Sequence, residues 1–323
     1  MPLQLTHYHP PKAENWQGRK DTLPLERYFQ HVQLLDLQHN DLSQPTDQAN
    51  TILLGFCSDT GVKRNEGKTG AANGPHVLRQ QLGKLACHHQ RHYIDIGNIH
   101  CEDGDLETAQ AELGKLVDYC HQRGYKTFLM GGGHEIAWGH FQGLEPSYAD
   151  LAIINFDAHF DLRPTGPNHA STSGTPFWQI AQCCANQDIT FNYACLGIQP
   201  LSNTNALFNL AEHFHVTFLT AEQIYTIPLE QQLKTLDHFM QNISYIYLTI
   251  CLDVFNQAIA PGVSAPQALG LYPWHVIPLL KYLLQTGKVV SIDFAELAPD
   301  LDQNHATSRL AASIAAMVLE NFF

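Results

Sequence analysis

Residues 153–161 read IINFDAHFD, an apolar run set directly against three polar residues at alternate positions. In an extended chain, side chains two apart lie on the same face, so Asp157, His159 and Asp161 converge while Ala158 and Phe160 turn away. Three such groups at the end of a buried strand repel or desolvate one another unless something holds them. A metal ion is the simplest holder.

The strand that carries them has companions. From residue 51 onward, short apolar runs rich in β-branched residues alternate with longer helix-like segments. The strand candidates are TILLGF (51–56), HYIDIG (92–97), YKTFLM (125–130), LAIINF (151–156), ITFNYACLGI (189–198), YIYLTICLDV (245–254) and KVVSIDF (288–294). Between them lie helical patterns such as 74–85, 105–124, 203–214 and 228–243, several ending at or near Gly or Asn. The alternation predicts a parallel sheet covered by helices, the α/β class. No Pro-, Gly- or Ser-rich linker, repeat or low-complexity segment divides the chain. A single domain is therefore expected over 51–323, with an irregular, helix-containing N-terminal extension, 1–50, packed on it.

The bulk numbers narrow the function classes. The 323 residues are 44% hydrophobic, ample for a sizeable core, and no apolar run reaches the roughly 18 residues of a membrane span. The opening MPLQLTHYHPPK lacks the charged start and apolar centre of a signal peptide, so a cytoplasmic location is expected. A formal charge of −13 without a basic run argues against nucleic acid as a partner. The eight cysteines are scattered without CxxC spacing and read as mostly reduced core residues. Most of the 19 histidines fall in loops or polar helices, and only those in motifs receive a role.

Ligands of open α/β sheets bind beyond the carboxyl ends of the strands, and four strand candidates run straight into polar clusters. GGGHE (131–135) follows YKTFLM, and its glycines leave room for an ion or substrate beside His134, although they also suit a plain strand-to-helix turn. DAHFD is the second cluster. LTICLDVF (248–255) carries Asp253 inside an apolar strand, where an unpaired carboxylate is costly, unless it caps a helix beyond. SIDFAEL (291–297) brings Asp293 and Glu296 to the end of the last strand, in a structural or a functional role. His134, Asp157, His159, Asp161 and Asp253 together make a hard oxygen and nitrogen donor set in a number suited to two ions. Mn²⁺ fits best, with Zn²⁺ and Fe²⁺ as rivals. Two ions roughly 3.5–4 Å apart can share one water and lower its pKa enough for hydrolysis near neutral pH.

GGGHE, DAHFD, Ala258-x-Ala260-Pro261-Gly262 and the late Glu occur in an order and at spacings that resemble the ureohydrolase family of arginases, agmatinases and formimidoylglutamases, from about residue 51 onward. The resemblance implies a three-layer α/β/α sandwich, two Mn²⁺ per subunit, cleavage of a C–N bond in a guanidine or amidine, and trimers or hexamers, hence a homo-oligomer. It makes His134, Asp157, His159, Asp161 and Asp253 metal ligands, Asp157 and His159 catalytic as well. GVKRNEGKTGAANGP (61–75), TSGTPF (172–177), LGIQPLSNT (196–204) and APGVSAP (260–266) look more like the formimidoylglutamase branch. That branch implies N-formimidoyl-L-glutamate as substrate and L-glutamate and formamide as products, a step of histidine degradation. Its amidinium would meet Glu296. Its carboxylates need cations, first Arg163, which reads equally as a surface charge, then Arg64 and Lys68, which read more readily as surface charges.

Two positions depart from the family pattern. Ser173 stands where arginases and agmatinases carry a proton-shuttling His, leaving His169, solvent or an easier leaving group to serve. Cys251 stands where the family usually has the Asp that bridges both ions. Either its thiolate is a ligand and favours a softer ion such as Zn²⁺, or it is a small core residue and the site holds one ion firmly. An agmatinase-like or guanidino-acid hydrolase, and a ureohydrolase-like binding protein without catalysis, are the competing readings.

Overall fold

The computed structural model describes residues 5–322 apart from Pro167 and His169, so the suggestion about His169 lies outside the described residues. Ten strands among them form one sheet: β1 (Tyr8–His9), β2 (Val32–Leu34), β3 (Thr51–Cys57), β4 (Tyr93–His100), β5 (Lys126–Met130), β6 (Leu151–Phe156), β7 (Asn192–Ile198), β8 (Thr217–Thr220), β9 (Tyr245–Cys251) and β10 (Val289–Ala295). Their order is β1-β4-β3-β5-β10-β9-β6-β7-β8, with β2 also on β4. Every pairing is parallel except that of β1 with β4.

The continuous apolar runs explain the parallel sheet. β3 and β6 are buried along their whole length because helices cover both faces. After the short α1 (Thr60–Arg64), one face packs against α2 (Gly74–Gly83), α7 (Ala221–Thr226), α8 (Leu229–Phe239), α9 (Pro273–Gln285) and α10 (Ala306–Asn321) through residues such as Leu82, Ile224, Leu236, Leu280 and Val318. The other packs against α3 (Leu106–His121), α4 (Ile136–Leu144), α5 (Pro176–Asn186) and α6 (Asn205–His213) through Leu113, Phe141, Ile180 and Ala211. The three-layer α/β/α architecture follows. β5, β10, β9 and β6 are neighbours, so the four clusters meet beyond their carboxyl ends.

Three strands escaped the sequence reading. β8 is four residues long and partly exposed at the sheet edge, and β1 and β2 have two and three residues. Segments this short carry no periodicity, and the edge they dock on decides their conformation. The helical turns of the first 50 residues, Ala13–Asn15 and Tyr28–His31, are 3-10 rather than α. This segment is anchored by Trp16, whose indole Nε1 donates to Asp95 Oδ2 at 2.6 Å. The buried Arg79 of α2 grips the same carboxylate with two hydrogen bonds of 2.8 and 2.9 Å.

Candidate metal centre

The glycine turn presses His134 into place. Gly133 N–H donates to Ser58 O at 2.9 Å, and a Cβ on Gly132 would stand 1.7 Å from that same oxygen. Only glycine fits so close an approach. Glu296 and Asp161 sit in the left-handed region, at φ +67° and +47°. Each conformation costs about 1–2 kcal/mol in a non-glycine residue. Glu296 N–H donates to Gly132 O at 2.8 Å and Asp161 O accepts from Phe177 N–H at 3.2 Å, contacts that hold both turns.

Asp157 lies at the middle of the cluster. His134 Nδ1 is 2.9 Å from Oδ2 of both Asp157 and Asp161, yet neither contact satisfies hydrogen-bond geometry. His159 Nδ1 is 3.1 Å from Asp253 Oδ2 and 3.5 Å from Asp157 Oδ1. Asp253 falls in a 3-10 turn, Leu252–Val254, rather than at a helix cap. The Cys251 thiol is buried and lines the same cavity. Donor atoms of His134, Asp157 and Cys251 lie within 4.8 Å of one another, as do those of Asp157, His159 and Asp253. Two donor triads thus share Asp157.

The electrostatics call for added positive charge. Burial opposes protonation of His134 and His159, yet the surrounding carboxylates hold both well above the ordinary imidazole range. Burial and then Asp157 push the Asp161 carboxyl up to about 6. Burial, followed by Asp157 and Asp253, raises the Cys251 thiol. Asp253 Oδ1 and Glu296 Oε2 are buried without a hydrogen-bond partner among the described residues. A set of buried carboxylates, two imidazoles and a thiol, with unpaired oxygens aimed inward, fits divalent cations.

Behind His134 stands a buried pillar. His134 Nε2 is 3.0 Å from Thr249 Oγ1, which donates to Asp293 Oδ1 at 2.5 Å. Asp293 Oδ2 also receives His140 Nδ1 at 2.7 Å and the Tyr247 hydroxyl. Asp293 and Glu296 therefore separate: the first supports His134 from below, and the second faces the cavity. The sequence reading named neither Thr249 nor His140, because only their distant partner reveals them.

The cavity above the triads has a volume of about 240 Å³. Arg163 and Ser173 line it, and the exposed Arg163 guanidinium has no ion-pair or hydrogen-bond partner among the described residues. Arg64 and Lys68 do not line it. Arg64 is held by Glu107 at 2.6 Å and by Gly104 O and Ser171 O at 3.1 Å, so its charge is already matched. Lys68 borders a separate groove beside Pro261 and Gln303. Asn65, Ser202, Asn203 and Ser264 complete the polar lining. They lie inside the motif stretches quoted above, but uncharged amides and hydroxyls carry no signal of their own.

A model described as the Arginase family matches residues 49–320. Formimidoylglutamase of Legionella pneumophila (strain Philadelphia 1) is 51% identical over 316 residues, covering 98% of each chain. The crystal structure of formimidoylglutamase from Bacillus subtilis superposes with a TM-score of 0.80 at 23% identity, over 92% of each chain. Formiminoglutamase of Trypanosoma cruzi, solved with Mn²⁺, gives 0.77 at 22% identity, over 87% of this chain and 95% of that one. Strand order, clustered motifs and a match across most of the sequence lead to one assignment: the chain belongs to the arginase family.

Proposed function

We propose that the protein hydrolyses N-formimidoyl-L-glutamate to L-glutamate and formamide. The observation that carries this reading is the pair of donor triads sharing Asp157 beneath a cavity that holds both Glu296 Oε2 and the Arg163 guanidinium, neither of which has a partner among the described residues. Such a cavity suits a substrate cationic at one end and anionic at the other. The close relative named formimidoylglutamase supports the choice.

Membership of the family implies a two-ion centre. His134, Asp157, Asp161 and Cys251 would hold one ion, and Asp157, His159 and Asp253 the other. When bound, the ions supply Lewis acidity and a nucleophile at neutral pH. The carboxylate-rich set favours Mn²⁺, the ion with which the Trypanosoma cruzi formiminoglutamase was solved. Cys251 supports a second reading, Zn²⁺, because a thiolate prefers the softer ion.

The chain's own residues do the rest. Thr249, itself donating to Asp293, accepts the Nε2–H of His134 and so keeps the Nδ1 lone pair facing the cavity. Glu296 Oε2 accepts an N–H of the amidinium and orients its carbon toward the attacking water. Arg163 receives a substrate carboxylate, and Asn65 and Ser173, joined at 3.2 Å, border the same space. Water adds to the formimidoyl carbon, and the bond from that carbon to the glutamate nitrogen breaks. The departing amine takes a proton and formamide is released. Ser173 can relay that proton from solvent.

Eight free cysteines, most of them buried, support a reducing, cytoplasmic compartment. Among the described residues, no helix is long and apolar enough to cross a membrane. Leu201 and Leu269, exposed beside Tyr225 along one groove, support a homo-oligomer.

The test is release of formamide and glutamate by metal-stripped protein resupplied with Mn²⁺ or Zn²⁺, with agmatine and arginine run alongside. Turnover of the glutamate derivative alone is expected. Preferential turnover of agmatine or arginine, or of none of the three, would overturn the reading.

A further inference from the structure

A second cluster of donors lies at the far edge of the sheet, outside the cavity. Cys57 closes β3 and is the register partner of His100, which closes β4. His76, in the first turn of α2, sets its Nε2 3.7 Å from Cys57 Sγ. One donor atom from each of the three lies within 4.8 Å of the others. These residues stand far apart in the chain and form no motif, so the sequence reading assigned them nothing.

Their surroundings suit ligation. His100 Nδ1 is 3.1 Å from Glu102 Oε1, which fixes Nδ1–H as the donor and leaves the Nε2 lone pair free. The Asn15 side-chain NH2 donates to His76 Nδ1 at 3.0 Å, which leaves the ring proton on Nε2, facing Cys57; ligation moves that proton to Nδ1 as the Asn15 amide turns its oxygen toward it. Burial pushes the His76 imidazole down to about 4 and lowers that of His100, so both offer neutral nitrogen donors at neutral pH. The His9 ring stacks on His100 with centroids 4.0 Å apart and supports it from one side. A groove of about 170 Å³ lined by His7, His9, Glu102 and Asp103 borders His100 and has room for a water ligand. One thiolate, two imidazoles and a water is a donor set for a borderline transition-metal ion.

We propose that Cys57, His76 and His100 bind one dication of the Zn²⁺ class, separate from the centre at His134, with Glu102 orienting His100. Binding takes the proton from Cys57 to solvent and forms a metal–thiolate bond; nothing is oxidised or reduced. A partly buried site of this kind, away from the cavity, serves the β3–β4 edge and the segment docked on it, so turnover does not depend on it.

The experiment uses the full chain carrying Cys251→Ser, which removes the candidate thiolate of the first centre, stripped of metal and titrated with Co²⁺. The expected result is a thiolate-to-cobalt charge-transfer band that disappears in Cys57→Ser and in His100→Gln. In the wild-type background, His76→Gln and His100→Gln should each bind one Zn²⁺ fewer per chain while keeping wild-type turnover. A missing band with Cys57 intact, or Zn²⁺ contents that neither histidine variant lowers, would overturn the proposal.

Discussion

Glu296 Oε1 accepts the backbone N–H of His134 at 2.9 Å, so one carboxylate oxygen is committed to the glycine turn while Oε2 stays unpaired in the cavity. Burial, with Glu135 and Asp253 adding to it, raises this carboxyl well above the ordinary range, and a cationic amidine relieves that strain. Glu296→Gln keeps the turn and removes the charge. It should bind metal normally and lose roughly 10²–10³-fold in kcat. Metal content and kcat measured on one preparation check this, and wild-type kcat would exclude the role.

Arg163→Ala should raise KM for the dicarboxylate substrate about 10–100-fold, the worth of a charge-assisted hydrogen bond, without altering metal content. Arg64→Ala should leave KM alone, since Glu107 already holds that guanidinium. Steady-state kinetics of the two variants distinguish the cation that faces the cavity from the one that does not.

Thr249→Val severs the link between His134 and Asp293 without replacing a proposed ligand. Loss of the group that orients a metal-binding imidazole should weaken metal affinity about 10–100-fold. Thr249→Ser should restore it, because the hydroxyl returns. Metal dissociation constants for the two variants decide the matter; equal weakening in both would mean that packing, not the hydroxyl, matters.

Cys251→Asp replaces a soft donor by a hard one in the triad of His134 and Asp157. The ratio of Mn²⁺ to Zn²⁺ affinity should rise about tenfold or more. Competition titrations measure that ratio, and an unchanged value would make Cys251 a bystander.

His121 is held between Thr127 Oγ1 at 2.9 Å and the Tyr148 hydroxyl at 2.7 Å, and burial pushes its imidazole down to about 3. The native state keeps it neutral, whereas the unfolded chain takes up a proton below about 6.5. Acid therefore favours unfolding: stability falls as pH drops from about 6.5 toward 3, by on the order of 4 kcal/mol when complete. His121→Gln should be less stable than wild type at pH 7.5 through lost packing and hydrogen bonds. That gap should narrow as the pH falls toward about 4.5. Thermal unfolding of metal-stripped protein across this range supplies the test, and a constant gap would refute it.

The sequence by itself determined the α/β sheet and the residues at its centre. Parallel strands buried on both faces need unbroken apolar runs, so β3, β5, β6, β9 and β10 stand out from any single segment. The donors follow those runs without interruption, at the strand ends where the chain must turn. What the tertiary structure alone decided concerns direction and distant partners. Arg64 and Arg163 are equal as sequence, and Glu107, 43 residues from Arg64, withdraws it from the site. Asp293 and Glu296 are three residues apart, yet a left-handed turn at Glu296 sends one carboxylate to the cavity. The other goes to His140, 153 residues away. Cys251 could have faced the core or the proposed ligands, and only the placement of β9 beside β6 and β10 brings its thiol to His134 and Asp157. Local pattern fixes which face is buried; which polar group answers which depends on contacts closed only when the sheet assembles.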